Sequence, residues 1–395
     1  MRRLVTASVV ALALGLVVAH LPAPSVARAQ DAARLLELDL DPARTTVFAV
    51  GVLTYRDRRL ASFPQEGRRD AELVAHLRAR GATDVVFLTD REATLRRIER
   101  DFEAHLARSQ PGQTLVVYYT GHGLRDDGEV GFTPWDAGRG LGTTWRVRAI
   151  VDAIRARFRG ERALMLIDCC HSGAMTDAVA ALGADGPLAW TSLASAHAAA
   201  QSTGNWTFTE AVLEGLRGDP RIDADEDGLV DLGEVAAFAE VEMAFAEEQL
   251  TQAYAHPRFG PTTRLARVSA PRPPPRVGER VEVFSEDAWW KARVLEMRGE
   301  RAKVRYYGWG PEHDEWVEPR QMRAYAPRPW PVGARVEVES DGRWFPASII
   351  EVRPLGLHKV HYDDYDASWD EWVPSSRIRE PGARPDDRRR RRRPR

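Results

Sequence analysis

A histidine and a cysteine pair stand in two short segments, Tyr118-Tyr119-Thr120-Gly121-His122-Gly123 and Asp168-Cys169-Cys170-His171-Ser172-Gly173, with His122 and Cys170 48 residues apart. A neutral imidazole beside a thiol can take its proton, and the thiolate can then attack a carbonyl carbon. Such chemistry needs both side chains held at one place. Each segment follows an apolar run that reads as a buried strand, Thr114–Tyr119 and Ala163–Ile167. Each run would therefore deliver its polar residues to a strand's C-terminal edge, where open α/β sheets bind ligands.

The surrounding pattern alternates strand and helix from Thr45 to about Leu265. Thr46–Leu53 reads as a first strand and Arg69–Arg80 as a helix closed by Gly81. Val85–Leu88 is a second strand and Ala93–Leu106 a second helix. A helix over Trp145–Phe158 separates the two motif strands. A strand around Leu188–Ala194 and a helix at Thr207–Leu216 follow. This alternation predicts an α/β fold, a mainly parallel sheet with helices on both faces.

Arg267–Arg276 holds Pro271, Pro273, Pro274 and Pro275, and residues 266–276 read as an extended linker. Beyond it Val277-Gly278-Glu279-Arg280-Val281-Glu282-Val283 recurs 55 residues later as Val332-Gly333-Ala334-Arg335-Val336-Glu337-Val338. Asp314-Glu315-Trp316-Val317 recurs at 56 as Asp370-Glu371-Trp372-Val373. Two small β-barrels are expected, over 277–326 and 330–380, before a disordered Arg-rich tail at 381–395.

With 56 Lys+Arg against 58 Asp+Glu, the charge balance gives no argument for nucleic acid as the main partner. Arg2 and Arg3, the apolar stretch Leu4–Ala19 and the small-residue site Ala27-Arg28-Ala29 read as a signal peptide over residues 1–29, hence an exported protein. No later segment is long and apolar enough to span a bilayer. Two adjacent cysteines are a poor disulfide framework for an exported chain and a better fit to chemistry.

In order and context the two motifs resemble those of the caspase-like cysteine peptidases, and within them the metacaspases and their bacterial relatives. The His-to-Cys spacing agrees with the roughly 50 residues of caspases. Asp70, the run Asp90-Arg91-Glu92-Ala93-Thr94, and Thr191–Thr209 with its Phe208-Thr209 pair strengthen the resemblance, which covers Thr45 to about Leu265. It implies Cys170 as nucleophile and His122 as base, with the N–H groups of Gly123 and Cys170 as an oxyanion hole. Cys169 would face the other side of its strand, and His171 is a poor base for its own neighbour. The alternative for the pair is a buried cysteine and a loop histidine. The resemblance further implies that Asp168 lines a pocket selecting Arg or Lys at the cleavage point, by carboxylate–guanidinium pairing. Asp168 capping the following turn is the other possibility. Asp57 is a candidate for a second carboxylate.

Asp223, Asp225, Asp227, Gly228, Leu229, Asp231 and Glu234 match the positions of a calcium loop. The exiting helix is expected from about Leu232 to Leu250, whereas Gly218-Asp219-Pro220 ends the incoming one early. Calcium binding competes here with a merely acidic helix N-terminus. The repeats hold eight of the twelve tryptophans. Tyr306, Trp309 and Trp316, and Tyr362, Tyr365, Trp369 and Trp372, could line cation- or peptide-binding pockets or serve as cores. They resemble Tudor-knot and chromo-barrel modules; their ligand is not legible. The expected molecule is an exported cysteine endopeptidase acting on proteins or peptides with Arg or Lys at the cleavage point. A non-proteolytic adaptor on the same scaffold is the rival, although a scaffold needs neither His122 nor Cys170.

Overall fold

The computed structural model describes residues 38–197, 205–271, 276–340 and 342–382. The expected signal peptide at 1–29, the proline run at 273–275 and the arginine tail at 388–393 lie outside the described residues. Strands β1 (Thr45–Gly51), β2 (Thr83–Thr89) and β3 (Thr114–Thr120) alternate with helices α1 (Arg69–Ala79) and α2 (Leu95–Ala107). Short strands β4 (Gly123–Asp126), β5 (Glu129–Phe132) and β6 (Trp145–Arg146) form a separate antiparallel sheet. Then come α3 (Val147–Arg157), β7 (Arg162–Asp168), α4 (Gly173–Ala180), β8 (Ala189–Ala194) and α5 (Thr207–Leu216). The domain ends with β9 (Leu229–Asp231), α6 (Leu232–Ala246), β10 (Gln252–Ala255) and β11 (Arg264–Arg267).

Six strands make the central sheet, in the order β10-β8-β7-β3-β1-β2. All neighbours pair in parallel except β10, which runs antiparallel to β8. Alternate side chains of each strand feed opposite cores, as the strand period of two requires. Val116, Tyr118, Leu164 and Leu166 pack under α1, α5 and α6. Leu115, Val117, Tyr119, Met165, Ile167 and Cys169 pack under α2, α3 and α4. With helices on both faces the inner strands β1, β3, β7 and β8 are buried almost end to end, so they read as apolar runs without polar alternation, whereas the edge strands β2 and β10 keep exposed residues.

Several expectations need correction. Trp145 and Arg146 belong to β6, and the helix starts at Val147. The helix expected to reach Leu250 stops at Ala246 because Glu248 adopts a left-handed backbone and the Gln249 amide is captured by the Ser195 carbonyl at 2.6 Å. β10 then returns to the sheet. The segment read as linker begins as structure: Ala266 and Arg267 are in β11, and the Val268 and Ser269 N–H groups donate to Gly228 and Gly218.

The two repeats are five-stranded antiparallel sheets, each curled over a core of its own in keeping with the small barrels expected. The first uses β12 (Arg280–Ser285), β13 (Ala288–Arg298), β14 (Arg301–Tyr306), β15 (Glu315–Val317) and β16 (Met322–Ala324). The second uses β17 (Arg335–Ser340), β18 (Arg343–Arg353), β19 (Leu357–Tyr362), β20 (Glu371–Pro374) and β21 (Ile378–Arg379). Each long strand carries a register shift, at Val294/Glu296 and at Ile349/Glu351, which is 55 residues later. Such bulges bend a strand and let the sheet curl over its own core. The first repeat is docked on α6. Glu242, only 1% exposed as a residue, accepts from Arg280, from Arg293 at 2.5 Å and from the Tyr307 hydroxyl at 2.5 Å. Among the described residues no helix is long and apolar enough to cross a membrane.

Candidate active site

β3 and β7 are neighbours in register, with Thr120 opposite Asp168. His122 and Cys170 are each two residues beyond that pair, so the chain delivers both to the same edge of the sheet. The loops after the two strands also touch. A Cβ on Gly123 would fall 1.8 Å from the Cys170 carbonyl oxygen, so only glycine permits this approach. Gly121, at φ +147°, makes the turn that leads into the histidine, and a side chain there would strike the Tyr55 and Tyr119 hydroxyls.

His122 is fixed from several directions. Its backbone N–H donates to the Tyr55 hydroxyl at 2.8 Å, which itself donates to the Val52 carbonyl. Its carbonyl accepts from the Thr133 N–H and lies 2.9 Å from the Tyr119 hydroxyl. The ring stacks on Tyr55 at 4.9 Å and lies 4.6 Å from the Phe63 ring. Nε2 is 2.7 Å from the Ala61 carbonyl oxygen, an acceptor, so Nε2 carries the hydrogen. In the neutral ring Nδ1 is then the base. Tyr55, Phe63 and Ala61 escaped the sequence reading, since packing residues and a backbone carbonyl leave no motif.

The two thiols differ. Cys169 is 1% exposed in the α2–α4 core, and burial holds its thiol well above the usual range. Cys170 is half-buried at the turn that follows β7. His171 takes a left-handed backbone at φ +58°. The buried Ser172 hydroxyl accepts from the Ala196 N–H at 2.9 Å and ties this turn to the end of β8.

Asp168 is buried at the edge of a pocket lined by Leu53, Phe63, Thr120, Gly121, Asn205 and Trp206. Its carboxylate accepts from the Thr209 hydroxyl at 2.6 Å, and Tyr118 in turn lies 2.8 Å from Thr209. With Thr209 donating to the carboxylate, Tyr118 donates to Thr209. Burial nevertheless pushes the Asp168 carboxyl up to about 6. Asp57 is not brought to this pocket. It pairs with Arg59 at 2.5 Å, which holds its carboxyl down to about 2. The carboxylates the fold does place beyond β1 are Asp70, fully buried against Arg68, and Asp90, which accepts from the Leu53 and Thr54 N–H groups and from Arg68.

In the acidic loop, oxygens of Asp223, Asp225 and Asp227 lie within 4.8 Å of one another. Asp231 caps α6, and Glu234 completes a capping box while accepting from the Ala224 N–H. Leu229 opens β9, opposite Arg267. Burial raises the Asp231 and Glu234 carboxyls, and for Asp231 the charges of Asp225 and Asp227 add to it. The donor set, hard oxygens with repelling charges, suits a calcium ion.

The aromatic sets divide. In the first repeat Tyr306 is buried, Trp316 lies under Arg298, and Trp309 meets Trp290 edge to face at 6.1 Å. In the second, Tyr362, Tyr365 and Trp369 form one cluster with Phe345, while Trp372 turns to Arg353.

Comparison with known proteins follows the same divisions. Residues 67–256 match the model of the caspase domain, 278–329 the Agenet domain, and 331–380 the Tudor-knot, described as the RNA-binding-activity knot of a chromodomain. No curated protein matches the chain. Among solved structures, GSU0716 of Geobacter sulfurreducens is 14% identical, over 57% of this chain and 100% of that one, with a TM-score of 0.42. Caspase-1 of Spodoptera frugiperda is 13% identical, over 54% and 87%, with a TM-score of 0.39. The Drosophila initiator caspase Dronc is 10% identical, over 58% and 85%, with a TM-score of 0.38.

Proposed function

Because the chain carries a caspase domain over residues 67–256, we propose that it is a cysteine endopeptidase, with Cys170 as nucleophile and His122 as base, that cleaves proteins after Arg or Lys. The observation that supports this is the Thr120–Asp168 register, which brings the loops carrying His122 and Cys170 to one edge of the sheet, with Gly123 against the Cys170 carbonyl. The Cys170 thiol proton passes to Nδ1 of His122, whose Nε2–H remains on the Ala61 carbonyl. The thiolate attacks the carbonyl carbon of the scissile bond, and the N–H groups of Gly123 and Cys170 receive the developing oxyanion. The imidazolium returns its proton to the leaving amine. Water, deprotonated by the same imidazole, then releases the acyl group and restores the thiol.

Asp168, once ionised, pairs with the cation of the residue before the cleaved bond. Calcium at Asp223, Asp225 and Asp227, with the Leu229 carbonyl, Asp231 and Glu234, would neutralise the loop in front of α6 and take no part in bond breaking. The repeats serve as binding modules, and residues 1–29 direct export. The test is hydrolysis of fluorogenic Arg, Lys and Asp peptides by the mature protein. Cys170→Ala abolishes it, Cys169→Ala leaves most of it, and Asp168→Ala loses Arg/Lys cleavage far more than Cys170 alkylation. Equal loss from both cysteine variants, or a preference for Asp, refutes the assignment.

A further inference from the structure

The Asp168 pocket does not end at the peptidase domain. Asn205, on its rim, also lines a groove of about 400 Å³ between that domain and the first repeat. One wall of the groove is Glu247 and Glu248, just past α6, and the other is Trp290 and Trp309 of the repeat. The join is tight. A Cβ on Gly308, in the loop after β14, would meet the Asn205 Oδ1 at 3.1 Å, while the Asn205 amide donates to both Glu247 oxygens at 3.0 and 3.2 Å.

Three properties give this groove a purpose. Trp290 and Trp309 are 39% and 48% exposed. The two indoles meet edge to face at 6.1 Å and so form one contiguous patch, and contiguous apolar patches open to water mark interaction sites. The charge is acidic: Glu248 is paired with Lys291 at 3.0 Å, but Glu247 has only the neutral Asn205 and Thr207 as partners among the described residues. The groove is also preformed, because Glu242 locks the repeat to α6 through Arg280, Arg293 and Tyr307. Indole faces and a carboxylate together attract a cationic side chain.

We infer that the first repeat completes the substrate-binding surface of the peptidase, its groove taking a second Arg or Lys side chain of the same extended peptide whose cleavage-point residue fills the Asp168 pocket. This rests on the peptidase assignment, and the repeat becomes a specificity element rather than a separate targeting module. A cation against indole contributes about 0.5–2 kcal/mol, which is about a 2- to 30-fold preference.

The test uses the full chain carrying Cys170→Ala, so that binding is read without cleavage. Peptides with one Arg, and with a second Arg placed at each of four positions on either side of it, are titrated while tryptophan fluorescence is followed. One position should bind about 2- to 30-fold tighter than the single-Arg peptide, and that ratio should fall to one in Trp290→Ala and in Trp309→Ala. Either variant serves if the other fails to fold. No favoured position, or a ratio that survives both substitutions, overturns the inference. Hydrolysis of the single-Arg peptide by the unsubstituted chain reports separately on the peptidase assignment, so the two can fail independently.

Discussion

On the proposed assignment, removing the hydroxyl of Thr209 should move the pH at which cleavage after basic residues sets in. The Thr209 hydroxyl is a donor to the buried Asp168 carboxylate, at 2.6 Å, and Tyr118 reinforces it. A hydrogen bond to a charged group contributes about 1.5–3 kcal/mol. At about 1.4 kcal/mol for each pKa unit, Thr209→Val should raise the Asp168 carboxyl by about one to two units. Starting from about 6, the new midpoint falls near 7–8 by that arithmetic. The sign is fixed by which form pairs with guanidinium: only the carboxylate does, so kcat/KM for an Arg peptide rises with pH through the Asp168 titration. At pH 6 the ionised fraction drops from about one half to between about a tenth and a hundredth, so kcat/KM falls about 5- to 50-fold. Alkylation of Cys170 by a small neutral reagent, followed over the same pH range, should not shift, because it needs no cation pocket. Thr209→Ser restores the donor and should restore the profile. A Thr209→Val midpoint that stays near the unsubstituted value, or an alkylation profile that moves with it, refutes the role given to Asp168.

Calcium should raise the melting temperature relative to chelator, by about 2.7 kcal/mol of stability at a hundred times its dissociation constant. The Asp231 and Glu234 carboxyls are raised in the fold, so without the ion the fold loses stability as pH climbs from the ordinary carboxylate range through those raised values. The calcium effect should therefore grow from pH 4 toward 7, and coincident melts at pH 7 would remove the site. Arg293→Ala leaves the buried Glu242 with Arg280 as its remaining cation and should cost about 3–5 kcal/mol of docking. Since the first repeat has its own core, calorimetry should show it uncoupled from the peptidase domain; one unshifted transition would disprove this. No Lys or Arg occurs between Arg162 and Arg217, so the peptidase domain should stay uncut after Cys170, with any self-cleavage at 267–276 or in the tail. A fragment ending between Cys170 and Trp206, made by the unsubstituted protein and not by Cys170→Ala, would show that the specificity is mistaken.

The sequence by itself was enough for the parallel sheet and for the place of His122 and Cys170 on it. Buried parallel strands must be apolar, and the polar residues following them must lie at the sheet edge, so local pattern and site position are one signal. The separation of Cys169 from Cys170 follows in the same way from the two-residue period. Asp57 could not be judged so. Whether a carboxylate faces a pocket or a neighbouring Arg59 depends on loop conformation, which carries no periodicity. Nor could the sequence tell that β10 and the β4–β6 sheet exist, since strands of two to four residues are held by their partners rather than by their own pattern.

The docking of the first repeat was likewise out of reach. Pro-rich residues 271–275 suggest modules on a stiff tether, yet Glu242, Arg280, Arg293 and Tyr307 bring the first repeat against α6. Those four residues span 66 positions in the chain, and nothing in their local context marks them as partners. The tautomer of His122 depends on Ala61 in the same way, through a backbone carbonyl that any residue supplies. The placing of residues at one strand end was written in the local pattern; contacts between segments distant in sequence, with no side-chain signature of their own, were decided only when the chain folded.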